Sequence, residues 1–281
     1  MPGPDRLFHQ RQRIALFLAP ALFAMLSTFS AHAAESNFQQ ERNIMSNLSQ
    51  NAQYAPAQTD PDLAAMRDRL VSAKNSLDPD LRRLVSIAVL TANQTLDELP
   101  AQTEAALRDG VSPVAIREAL YQCAPYIGFP KTEAALRLVN ETFLKHGVTL
   151  PLENQATVTE ESRFADGLAV QKSIFGNAID AMHAATPEEQ KTIMVTHLSA
   201  FCFGDIYTRR GLDVKTRELL TFSIISALGG CESQVKSHVQ GNANVGNSKK
   251  TLVDALETAL PLMGFPRTLN ALACVNAVLP E

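Results

Sequence analysis

Two stretches decide the fold: ALYQCAPYIGFPKTEAALRLVN (residues 119–140) and ALETALPLMGFPRTLNALACVN (residues 255–276). At a constant offset of 136, Ala119-Leu120 matches Ala255-Leu256, Pro125 matches Pro261, and Gly128-Phe129-Pro130 matches Gly264-Phe265-Pro266. Thr132 then meets Thr268, Ala135-Leu136 meets Ala271-Leu272, and Val139-Asn140 meets Val275-Asn276. Upstream, Gly110 matches Gly246. A single-residue gap then brings Leu77-Asp78 onto Leu212-Asp213 and Arg82 onto Arg217. So many identities in one register mark an internal duplication. In each copy, Gly-Phe-Pro ends one helix and fixes the angle at which the next begins. Two such units are expected to pack face to face, as two subunits of a dimer would.

Outside the duplicated core the pattern is also helical. Asp60-Pro61, Asp78-Pro79, Ser112-Pro113 and Thr186-Pro187 each set a capping residue before a proline suited to a first helical turn. Thr186 with Glu189 reads as a capping box. No run alternates with the period of a strand, so the expected class is all-α. The boundaries are repeat one at 61–150, connecting helices at 151–195 and repeat two at 196–281.

Residues 1–33 read as a cleaved secretory signal. Arg6, Arg11 and Arg13 form a basic start, Ile14 to Phe29 an apolar run, and Ala31-His32-Ala33 a cleavage site. Residues 34–60, polar and rich in Gln, Asn and Ser, read as a tether. The expected location is periplasmic or secreted, with no membrane attachment after cleavage. The net charge of −4 with interspersed signs gives no basic stripe, which argues against nucleic acid as a partner. All four cysteines, Cys123, Cys202, Cys231 and Cys274, follow the signal. Four cysteines allow three full pairings, and the spacing does not choose among them. No His-x-x-x-His, cysteine pair or glycine-rich phosphate loop is present, so no metal and no cofactor are expected.

The duplicated motifs resemble the carboxymuconolactone decarboxylase family, whose fold is shared with the alkyl-hydroperoxidase D proteins. Repeat one is similar through Arg82-Arg83-Leu84-Val85, Asp97-Glu98-Leu99-Pro100 and Tyr126-Ile127-Gly128-Phe129-Pro130. Repeat two is similar through Thr216-Arg217-Glu218-Leu219-Leu220, Gly229-Gly230, His238 and Gly264-Phe265-Pro266-Arg267. The resemblance implies two tandem alkyl-hydroperoxidase D-like repeats packed as a pseudo-dimer. It also implies a small-molecule substrate and assembly into homo-oligomers, trimers or hexamers.

In the peroxidase branch of that fold, a glutamate precedes a Cys-x-x-Cys pair, and a histidine follows. By position Glu218 matches the glutamate, Cys231 the first cysteine and His238 the histidine, while Gln234 stands where the second cysteine belongs. A helix starting after Gly229-Gly230 places Cys231, Gln234, Val235 and His238 on one face. Cys231 in its first turn would find exposed amides that favour a thiolate. Seven residues span about 10 Å of helix, so Cys231 and His238 would need Gln234 or a water between them. Repeat one lacks this set: Gln102 replaces His238, Arg83 replaces Glu218, and no thiol lies near Thr95 or Leu96. It reads as mainly structural.

Three functions follow. In a cofactor-free decarboxylase or related lyase acting on a small carboxylated lactone, His238 is the acid and Glu218 its orienting partner. Arg217 or Arg267 then clamps the carboxylate. In a thiol-dependent peroxidase or disulfide reductase, Cys231 attacks and Cys202 resolves. In a binding module, the pocket remains without catalysis. Glu218 with Arg217 also admits a plainer reading, an exposed charge pair at a helix start.

Overall fold

The computed structural model describes Gln39, residues 60–70 and residues 75–280. The signal of residues 1–33 lies outside the described residues, as does the tether apart from Gln39 and Asp60.

Among the described residues all regular structure is helical, and the capping residues set where the helices begin. The Asp78 carboxylate accepts from the amides of Asp80 and Leu81 and starts α2 (Pro79–Asn93), after the short exposed helix α1 (Pro61–Asp68). A 3-10 turn at Leu96–Glu98 leads into α3 (Leu99–Arg108). Ser112 caps α4 (Pro113–Ile127) through the Ala115 amide, and α5 (Phe129–Lys145) follows directly after Gly128. The second set repeats this order. Asp213 caps α8 (Val214–Leu228), Cys231 precedes α9 (Glu232–Asn244), Ser248 caps α10 (Lys249–Met263), and α11 (Phe265–Val278) closes it. Each side-chain cap satisfies an otherwise orphaned amide and contributes about 1 kcal/mol.

Equivalent helices of the two repeats meet at the centre. Helix α2 packs along α8, α2 also packs on α10, and α8 reciprocally packs on α4. That reciprocity is a pseudo-twofold, the arrangement expected of a duplicated unit. Both central helices are apolar around most of their circumference. Val85, Ile87, Ala88 and Val89 of α2 are wholly buried, as are Leu220, Phe222 and Ile224 of α8. Burying each large side chain contributes about 1.5–3 kcal/mol.

The connection carries α6 (Arg163–Phe175), α7 (Ala178–Ala185) and a widely wound π-helical segment, Thr192–Tyr207. The π segment and α6 touch backbone to backbone. A β-carbon on Gly167 would lie 2.1 Å from the Ser199 carbonyl oxygen, and one on Gly204 equally close to that of Arg163. Arg163 pairs with Asp205 across the same contact. The second small core, Ile174, Cys202, Phe203, Ile206 and Tyr207, is sealed there. The capping box expected at Thr186 and Glu189 does not form. Thr186 instead donates backward to the Met182 carbonyl at 2.7 Å, closing α7, and Pro187 opens only a 3-10 turn. No helix among the described residues is long and apolar enough to cross a membrane.

Candidate active site

Helices α8 and α9 run against each other, and Asn242 fixes their register. Its amide nitrogen donates to the backbone carbonyls of Glu218 (2.9 Å) and His238 (2.7 Å), while its oxygen accepts from Asn247. With the two backbones held, the side chains meet. His238 Nδ1 lies 2.9 Å from Glu218 Oε2, with the carboxylate fully buried and the imidazole 11% exposed. Phe175 and Tyr126 stand edge-on to the imidazole, with ring centroids 5.4 and 6.2 Å away. Among the described residues Nε2 makes no hydrogen bond, and the imidazole keeps a little solvent exposure. A carboxylate on one nitrogen and an open second nitrogen is an arrangement that moves protons.

Glu218 has a second partner. Tyr207, the last residue of the π segment, donates its phenol to Oε1 at 2.6 Å. Beyond it, Thr221 lies 2.8 Å from Tyr207 and 3.2 Å from the Tyr126 phenol, which in turn stands 3.7 Å from Cys202 Sγ. Burial holds both phenols well above their ordinary range, with the Glu218 charge adding to the effect, and raises the Cys202 thiol to about 12. These groups are therefore neutral hydrogen-bonding partners at ordinary pH.

The network continues away from solvent. Gln122 donates to Thr221 at 2.9 Å and accepts from Arg217 at 3.0 Å. Arg217 is wholly buried and pairs with Glu118 at 3.0 Å. Arg209 and Arg117 bind the same carboxylate, so three guanidiniums share Glu118. Burial pulls Arg217 below its usual value, and Glu118 opposes that effect. Arg217 and Glu218 are thus not an exposed pair. They turn in different directions, one to Glu118 and the other to His238.

The remaining sequence-derived residues fall elsewhere. Cys231 is the residue before the first turn of α9, half-buried, with its thiol 3.4 Å from the Gly229 carbonyl. It lines a small cavity with Ser226, Val235, Arg267 and Cys274, and neither Glu218 nor His238 borders it. Arg267 reaches across to repeat one and donates to Asn93 at 2.6 Å. Gln234 is exposed and accepts from Ser233. Cys202 sits beside Tyr126 in the second core, and all four cysteines are free thiols. Residues that sequence reasoning missed are Tyr126, Tyr207, Thr221, Gln122 and Asn242. A faint signal existed, since Glu118, Gln122 and Tyr126 form a polar stripe at i, i+4 and i+8 on apolar α4.

Two comparisons bear on this arrangement. The family described as "Carboxymuconolactone decarboxylase family" matches residues 60–141 and again 194–277, more than half the chain. A protein named 4-carboxymuconolactone decarboxylase, from Acinetobacter baylyi, is 33% identical over 124 residues, which are 44% of this chain and 92% of that protein. The matched regions hold nearly all of both sets of four helices, and the second of them holds Glu218 and His238 together. The chain belongs to the carboxymuconolactone decarboxylase family and carries that family's helical unit twice.

Proposed function

We propose that this chain is a cofactor-free lyase that removes CO₂ from a small carboxylated lactone, with His238 as the proton donor. The observation that carries the reading is the 2.9 Å contact between Glu218 Oε2 and His238 Nδ1, with no partner for Nε2 among the described residues. When the bond to the carboxylate carbon breaks, its electron pair passes into a dienolate conjugated with the lactone carbonyl, and CO₂ leaves. The imidazolium then delivers its Nε2 proton to carbon and is reprotonated from solvent. Glu218 stabilises the imidazolium and fixes the ring orientation. The named relative gives the substrate to try first, 4-carboxymuconolactone. Cys231 has no part in this reading, because its contacts include neither Glu218 nor His238. Export through residues 1–33 and assembly into a homo-oligomer belong to the same proposal.

The test is CO₂ release from 4-carboxymuconolactone and related lactones by wild type and His238→Gln. Loss of a general acid costs on the order of 10²–10⁴ in rate. Equal turnover by the two proteins, or none by wild type on any such lactone, would overturn the proposal.

A further inference from the structure

The hydroxyl chain leading to Glu218 uses residues from three parts of the molecule. Tyr126 comes from repeat one, Tyr207 from the connecting π segment, and Thr221 from repeat two. Gln122 turns its NH₂ group to Thr221, because its oxygen is taken by Arg217. One lone pair of Thr221 is therefore occupied permanently. The single Thr221 proton can point to Tyr207 or to Tyr126, but not to both.

When Glu218 is ionised, Tyr207 donates to it. If Thr221 then donates to Tyr207 across 2.8 Å, its proton is withdrawn from Tyr126, to which Thr221 donates in this structure at 3.2 Å. When Glu218 holds a proton, it donates to Tyr207, Tyr207 donates to Thr221, and Thr221 donates to Tyr126. The directions of Tyr207 and Thr221 are thus tied to one carboxylate, while Tyr126 also stands 3.5 Å from Tyr207 and 3.7 Å from Cys202. The proton that Glu218 gains in this reversal comes from solvent, and each hydroxyl keeps its own proton and only turns.

We infer that Tyr207 is a positioning residue, which through Thr221 and Tyr126 fixes the charge distribution of Glu218 and thereby the proton affinity of His238. This rests on the acid–base role proposed for His238, but its test does not depend on turnover. Among the described residues, the titratable groups that face the pair are Tyr126 from α4 and Cys202 and Tyr207 from the π segment. Helix α11, packed on α9, turns Arg267 to Asn93 and Cys274 to the Glu232 carbonyl. Helix α8 adds Glu218 itself, with Arg217 turned away to Glu118, and α6 presents only the apolar Ile174 and Phe175. Among these, Tyr207 alone donates directly to Glu218. Removing that donor leaves more negative charge facing His238, which holds the imidazolium more firmly.

The experiment is a histidine NMR titration of the full chain with ¹³C-labelled imidazoles, in which His238→Gln identifies the His238 signal. In Tyr207→Phe the midpoint of that signal should rise by about half a pH unit or more relative to wild type. Thr221→Val, one link further away, should move it in the same direction by less, and it serves as the second variant where Tyr207→Phe fails to fold. Midpoints that coincide with wild type in the folded variants would overturn the inference and leave Tyr207 a packing residue. A raised midpoint in a protein that turns over no lactone would support the positioning role while removing the lyase reading.

Discussion

Gly241 of α9 lies against the carboxylate of Glu218 so closely that a β-carbon there would stand 2.6 Å from Oε2. The same β-carbon would meet Phe175 Cε1 at 2.9 Å and Ile174 Cγ2 at 3.0 Å. Glu218, His238 and the Phe175 edge therefore share a space that exists because residue 241 has no side chain.

Gly241→Ala sets two effects against each other. Alanine is the better helix former by about 1 kcal/mol. Overpacking a filled site costs typically 1–3 kcal/mol. The three clashing atoms are side-chain ends and can yield, so the net loss of stability should be small, roughly 1 kcal/mol. The functional loss should be larger, because the group that yields is Glu218. Urea unfolding together with turnover would check this. A variant as active as wild type would show that the carboxylate position is not critical.

The backbone contact between α6 and the π segment cannot yield in this way. At Gly167 and Gly204 the obstructing atoms are carbonyl oxygens and main-chain nitrogen. Gly204→Ala must push α6 off the π segment and open the second core around Ile174, Phe203 and Tyr207. A loss of about 3 kcal/mol or more is expected, at the upper end of overpacking costs. Exchange of the Tyr207 amide with deuterium should accelerate along with it. Unchanged protection there would show that the segment has another support.

Glu118 makes a third case, decided by charge. It is fully buried and holds Arg217, Arg209 and Arg117 within 3.0, 2.9 and 3.3 Å. Glu118→Gln keeps the shape but removes the carboxylate that three guanidiniums share, one of them wholly buried. Breaking a buried pair from one side costs about 3–5 kcal/mol. Because Arg217 also holds Gln122, the damage should reach Thr221. Chemical denaturation of Glu118→Gln measures the cost, and a loss below about 1 kcal/mol would mean that solvent already screens the cluster.

The fold was legible because a duplication writes the same breaks twice. Gly128-Phe129-Pro130 and Gly264-Phe265-Pro266 fix two helix junctions, and Asp78, Ser112 and Asp213 cap where capping chemistry puts them. The pairing of Glu218 with His238 was legible only as a positional match. They are 20 residues apart on two helices, and nothing local in the chain shows that Asn242 will lock those helices in register. Tyr207, Thr221 and Tyr126 were invisible for a different reason. A hydroxyl on an apolar helix looks like a tolerated core residue until its partners from other helices are known. Thr186 misled in the opposite sense, since a threonine three residues before a glutamate can equally bond back to the helix it ends.

Alkaline pH should weaken the fold, because buried acids stay protonated in it. Cys202, Tyr126 and Tyr207 are contiguous and neutral, with the thiol raised from an ordinary 9.0 to about 12 and both phenols raised well above 10.0, chiefly by burial. For a group whose folded value exceeds its unfolded one, the folded state binds the proton more tightly. That contribution is complete below the unfolded value and is lost as pH rises toward the folded value. Stability should therefore hold up to about pH 9 and then fall, first through the buried thiols Cys202 and Cys123, which burial also raises, and above about pH 10 through the two phenols. Replacing Cys202 with alanine should flatten the first part of the fall, and Tyr126→Phe the second, in urea unfolding between pH 8 and 11. The same burial keeps Cys202 unreactive, so alkylation of the native protein near neutral pH should begin at the half-buried Cys231. If Cys231→Ser left the fast-reacting thiol in place, the exposed sulfur would have to be another. If the alkaline slope were undiminished in Cys202→Ala with Tyr126→Phe, the proton-linked loss would lie outside these two groups.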